Sequence, residues 1–166
     1  MLKPHSPAPE VAAIIEARSL PTDLILITQT PLASSLNFYY KGTLEQWAIP
    51  FREKITHVPW RDFFERMGDE KILISFEKNL RICLKEGRRV WVLSGKGMPI
   101  NQIWVNETKD PLEAFPSYLR AMLKIHYRVL EILYQHAKPI YEYSSREEDY
   151  WEKYELALFE PREAKK

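Results

Sequence analysis

Two short runs of uninterrupted apolar residues set the strongest constraint on how this chain folds. The first is Leu24-Ile25-Leu26-Ile27, entered through Pro21-Thr22-Asp23 and left through Thr28-Gln29-Thr30-Pro31; the second is Val90-Trp91-Val92-Leu93, entered through Gly87-Arg88-Arg89 and left through Ser94. A strand that is apolar at every position, rather than at every second one, is buried on both faces, as in a parallel sheet covered by helices on each side. Both runs are coupled to helical patterning. After the first, Thr30 is placed to N-cap a helix, Pro31 suits its first position, and Leu32, Leu36 and Tyr39 or Tyr40 recur at helical spacing before Gly42. Before the second, a helix from Ser75 to Gly87 is carried by Phe76, Leu80, Cys83 and Leu84. This alternation predicts an α/β fold: a three-layer domain with a mainly parallel sheet flanked by helices, Rossmann-like in plan.

The remaining segments fit around that frame. Glu10 to Arg18 reads as a short amphipathic helix, and Thr43 to Trp60 as an aromatic, proline-punctuated stretch with short strands at Ile49 and at Ile55 to Val58. Trp60 to Met67 reads as a brief helix closed by Gly68. Asp110-Pro111-Leu112-Glu113 has capping-box spacing and opens the longest helical pattern, Pro111 to Ala137. Leu112, Phe115, Leu119, Met122, His126, Val129 and Leu133 form its apolar stripe, which Leu123, Leu130 and Tyr134 widen. An arc that wide must be covered, by the sheet or by a second subunit in a homodimer, and the sheet is expected to take the larger share. Lys138-Pro139 ends the helix, Glu142 to Trp151 reads as loop with one helical turn, and Tyr154 to Phe159 as a closing strand.

With 166 residues the chain is sized for one domain. Lys plus Arg number 24 against 23 Asp plus Glu, and a net charge of +1 argues against a general nucleic-acid binder. Any anionic partner must therefore use a local patch. Between Arg52 and Lys96 eleven basic residues face seven acidic ones, an excess that attracts phosphate or an anionic lipid surface only if it is clustered. The single cysteine, Cys83, excludes a disulfide within the chain and every multi-cysteine zinc pattern. Leu24 to Ile27 is the longest aliphatic run, far short of the roughly 18 to 20 residues that span a bilayer, and no apolar stretch follows Met1-Leu2-Lys3-Pro4-His5 to suggest a secretory signal.

The chemistry-bearing residues are sparse. Ser94-Gly95-Lys96-Gly97 follows a predicted strand, where an α/β fold places its ligand loops. It departs from the phosphate-binding loop, however. Only one glycine precedes Lys96, Gly97 stands where a hydroxyl would bind magnesium, and Pro99 opposes a following helix. His5, His57, His126 and His136 never pair at metal-binding spacing, so no metal site is assigned, and His126 in the apolar seam reads as a hydrogen-bonded core histidine. Ser34, Ser35 and Ser94 lack a nucleophile elbow, and Cys83 falls at the apolar phase of a helix. Glu147-Glu148-Asp149 among Tyr and Trp residues reads as a solvated cap. The candidate ligand-binding residues are thus Thr28, Gln29, Thr30, Ser94 and Lys96, on two loops expected at one edge of the sheet, with no cofactor and no catalytic residue assigned.

A resemblance adds to this reading. Pro9-Glu10-Val11-Ala12-Ala13-Ile14-Ile15-Glu16-Ala17-Arg18, then Pro21-Thr22-Asp23-Leu24-Ile25-Leu26-Ile27, then Leu36-Asn37-Phe38-Tyr39-Tyr40 resemble the start of the soluble α/β domain that follows the last membrane helix of many bacterial glycosyltransferases related to dolichyl-phosphate-mannose protein mannosyltransferases. Arg88 to Ser94 is similar to that domain's next strand, and Tyr154 to Pro161 to its closing one. The resemblance implies a non-catalytic accessory domain that assists recognition of an acceptor or a polyprenyl-phosphate-linked sugar. Its partner would be the membrane-embedded remainder of a parent protein, on the extracytoplasmic face. The motifs carry over no catalytic position, and the long helix exceeds what that domain usually supplies. Two other classes stand beside it: a free-standing cytoplasmic α/β enzyme or nucleotide binder using the loops after its strands, and an interaction module using its aromatic surface.

Overall fold

The computed structural model describes residues 6–95, 117–145 and 153–162. Its elements run α1 (Ala8–Arg18), β1 (Leu24–Ile27), α2 (Leu32–Tyr39), β2 (Glu45–Ala48), α3 (Trp60–Met67), α4 (Glu70–Lys85), β3 (Val90–Gly95), α5 (Ser117–His136), β4 (Ala137–Ser144) and β5 (Tyr154–Pro161). The strands form one sheet in the order β2-β1-β3-β5-β4. β1 pairs in parallel with β2 and with β3, whereas β5 lies antiparallel between β3 and β4. The sheet is therefore mixed, with β5 alone running against the other four.

The two aliphatic runs are the two central strands, and their burial explains their composition. Every residue of β1 and of β3 is buried. One face of the sheet is covered by α1 and α2, with Arg18 stacked over Tyr141 and Tyr143 donating to Glu10 at 2.7 Å. The other face is covered by α3, α4 and α5, with Trp47 edge-on to Phe76 and Tyr134 edge-on to Phe159. This is a three-layer α/β sandwich of Rossmann-like plan. A single cluster of buried side chains runs through it.

Local chemistry sets the element ends. Asp69 N-caps α4, accepting the amide of Lys71 at 2.9 Å, so the helix starts five residues before the Ser75 expected from its apolar spacing. At its other end Gly87, at φ +78°, closes a Schellman turn: the Arg88 amide donates to the Cys83 carbonyl and the Gly87 amide to that of Leu84, both at 3.1 Å. The chain is thereby turned straight into β3.

Several expectations are corrected. Neither Ile49 nor Ile55–Val58 forms a strand; the edge strand β2 is Glu45–Ala48, whose Glu-Gln-Trp-Ala sequence has no aliphatic run to mark it. Residues 142–144, read as loop, belong to β4, where Pro139 is tolerated because the strand is an edge and the register shifts between Pro139 and Tyr141. Thr30 does not cap α2: the N-cap position is Pro31, and the Thr30 hydroxyl donates to the Ile49 carbonyl instead. Of the long helix, Ser117–His136 is described, and the expected start at Pro111, like Glu147-Glu148-Asp149, lies outside the described residues.

The described part of the apolar arc of α5 is covered within the chain. Met122, Leu123, Val129, Leu130 and Leu133 are all buried against the sheet face and α4, and Tyr134 is half-buried.

Candidate functional site

At the amino ends of the central strands the side chains form a closed structural network. Asp23, just before β1, receives Arg89 twice (2.9 Å from Nε and 2.7 Å from a terminal nitrogen), the Trp91 indole N–H at 3.1 Å and the Leu20 amide at 3.0 Å. The hydrogen bonds that Arg89 donates to Asp23, and the charge of that carboxylate, hold the guanidinium above its ordinary pKa against the opposing cost of burial. Both oxygens of the Asp23 carboxylate are thus engaged by neighbouring donors.

The carboxyl ends are different. The first crossover puts α2 on one face of the sheet and the second puts α3 and α4 on the other, so the direction of winding reverses between β1 and β3. A switch point of this kind is where open α/β sheets place a ligand crevice. The Thr28 amide donates to the Leu93 carbonyl at 3.0 Å, which fixes the two strand ends side by side. Thr28, Gln29, Thr30 and Ser94 are thus brought together at one edge, while Lys96 lies outside the described residues.

These groups differ in what they leave exposed to chemistry. The Thr28 hydroxyl donates to the Leu93 carbonyl at 3.4 Å and lies 2.9 Å from Nδ1 of His126, a fully buried histidine on α5. The bond pins α5 to the sheet. Sequence spacing places His126 in the apolar seam but gives no sign of its partner 98 residues away, because only the fold brings α5 over β1. Ser94, expected on the loop after the strand, lies instead within β3 opposite Glu155, and both it and Thr30 are fully buried.

Gln29 stands apart, since its side-chain oxygen is buried and has no hydrogen-bond partner among the described residues. It sits over Gly95: a Cβ at that glycine would collide with the Gln29 oxygen and come within 3.2 Å of Leu32 Cδ1. Gly95 is therefore a position where the absence of a side chain makes room for a neighbour's amide.

The start of α2 offers little to a phosphate. Leu32 and Ala33 already donate their amides to the carbonyls of Gln29 and Thr30, both at 2.9 Å, and Pro31 has no N–H. A phosphate-binding helix terminus needs those donors directed at the anion. Among the described residues no cluster of His, Cys, Asp and Glu suited to a metal is present. Cys83 is buried on α4, and burial pushes its thiol pKa up against the opposing charge of Arg88, so it behaves as a small core residue. No described helix is long and apolar enough to cross a membrane. Comparison of the chain with protein-family models, with curated proteins and with solved structures gives no match.

Proposed function

We propose that this chain is a sugar-recognition domain without catalytic machinery of its own, acting as the extracytoplasmic accessory part of a polyprenyl-phosphate-sugar-dependent glycosyltransferase. The observation that carries the sugar reading is the buried oxygen of Gln29, which has no hydrogen-bond partner among the described residues and lies over Gly95 at the carboxyl end of β3. Leaving such an oxygen unsatisfied costs about 1 to 3 kcal/mol, which a ligand hydroxyl donating to it would recover. Sugars present hydroxyl donors in quantity, and the candidate residues described at this edge, Thr28, Gln29, Thr30 and Ser94, are uncharged. The assignment to a glycosyltransferase rests on the resemblance of the helix-strand-helix segment from Pro9 to Tyr40 and of the strands at Arg88 to Ser94 and Tyr154 to Pro161.

Calorimetric titration with a water-soluble short-chain isoprenyl-phosphate sugar tests the reading. Binding is expected with a Kd near about 1 mM or tighter, equivalent to roughly 4 kcal/mol or more, whereas ATP or GTP with magnesium shows no saturation in that range. Gln29→Leu is expected to weaken sugar binding about tenfold while raising the stability of the unliganded chain by about 1 kcal/mol, since it removes both the ligand contact and the unsatisfied oxygen. A micromolar nucleotide Kd that Lys96→Ala weakens would replace this reading with that of a free-standing nucleotide binder.

A further inference from the structure

The basic excess between Arg52 and Lys96 is sorted by the fold into two groups. Most of its arginines are engaged: Arg52 lies over Trp47, Arg66 over Phe51, Arg61 pairs with Glu65, Arg88 with Glu45 and Arg89 with Asp23. Three lysines of α4 are not. Lys71, Lys78 and Lys85 are exposed, and no ion pair holds any of them among the described residues.

They recur every seven residues, with Ile74 and Ile82 between them at steps of three and four, so all five share one face of the helix. Ile74 is 54% exposed and Ile82 41%. Glu77 is turned to Arg128 of α5 at 2.5 Å, and Arg81 lies 2.7 Å from His136, so both are drawn to the α5 side of the row, while the exposed Glu70 and Glu86 stand at the two ends of the helix. Ile74, Lys78, Ile82 and Lys85 also line an open cleft of about 360 Å³ together with Glu77 and Arg81.

A plain solvated face would carry polar residues where this one carries two isoleucines. We infer that the outward face of α4 docks on an anionic bilayer surface. A helix of 16 residues is about 24 Å long, and three ammonium groups spaced about 10 Å apart along it meet a plane of mobile phosphate headgroups without needing a shaped pocket. The isoleucines between them enter the headgroup boundary while the lysine stems snorkel. A protein partner fits less well. Interface cores are depleted in Lys and anchored by Tyr, Trp and Arg, and the one arginine beside this row is already engaged with His136. On α3, which packs beside α4 on the same side of the sheet, Trp60 is 51% exposed, the residue type that favours a membrane interface.

Sedimentation of the chain with vesicles tests this. We expect binding to vesicles of phosphatidylcholine mixed with phosphatidylglycerol, none to phosphatidylcholine alone, and weakening as salt is raised. Lys71→Glu, Lys78→Glu and Lys85→Glu together should lower the partition coefficient by about two orders of magnitude, whereas the three Lys→Arg changes preserve it. Ile74→Ser with Ile82→Ser should lower it about tenfold at unchanged charge. All variants lie on the exposed face, and circular dichroism confirms that they are folded. No binding, equal binding to both compositions, or a charge-reversed variant that binds like the original each overturns the inference. Because this face takes no part in the crevice, such a failure leaves the sugar reading standing.

Discussion

Asp23→Ala should cost about 3 to 5 kcal/mol, the loss expected when one partner of a buried ion pair is removed and the other is left behind. Asp23 is buried, and its carboxylate accepts from Arg89, from the Trp91 indole and from the Leu20 amide. Truncation leaves the indole N–H without its acceptor and the guanidinium facing the same site, although Arg89 retains some access to water. Asp23→Asn keeps an acceptor oxygen and should lose less, which separates the charge from the hydrogen bonds. Urea unfolding measures both, and the midpoint should fall with the slope unchanged. A loss below about 1 kcal/mol for the alanine variant would mean that this network does not hold the amino ends of β1 and β3 together.

The second large effect lies on α5. Leu130 is only 1% exposed in the single chain, so Leu130→Ala removes side-chain volume from a site that is already closed, at a cost of about 2 to 5 kcal/mol. The melting temperature should fall by about 10 °C and by the same amount at every protein concentration. If the loss appeared only as a change from dimer to monomer in sedimentation, with the monomer still folded, α5 would be an interface element rather than the cover of the sheet.

The parts of this fold that are legible in the sequence are those where burial alone dictates residue type. β1 and β3 are covered on both faces, so Leu24–Ile27 and Val90–Leu93 are apolar throughout, and the order of helix and strand around them follows. The edge strands are legible in neither case, for different reasons. β2 has only four residues, Glu45 to Ala48, and its buried positions include the polar Gln46, so no apolar run marks it. β4 alternates properly only beyond the shift between Pro139 and Tyr141, and a proline at its third residue reads as a break until the edge position is known.

The candidate site is legible to the same partial extent. A topological rule places Thr28, Gln29, Thr30 and Ser94 together without any motif, because ligands collect where strand order reverses. The role of each residue is not legible. Thr30 has the chemistry of an N-cap, yet its hydroxyl goes to the Ile49 carbonyl on the neighbouring connection. His126 and Thr28 meet only because α5 crosses the ends of the central strands. The orphaned oxygen of Gln29 depends on the bare backbone of Gly95, a tertiary contact that no local pattern encodes.

The proposed ligand site at the carboxyl ends of β1 and β3 is tested by an amide-resolved NMR titration with the soluble isoprenyl-phosphate sugar. The expected result is that the largest shift changes fall on Thr28, Gln29, Thr30, Ser94 and Gly95, while Leu20, Asp23, Arg88 and Arg89 at the opposite edge stay in place. Saturable changes centred on the amino edge, or none at the crevice while calorimetry shows binding, would contradict it.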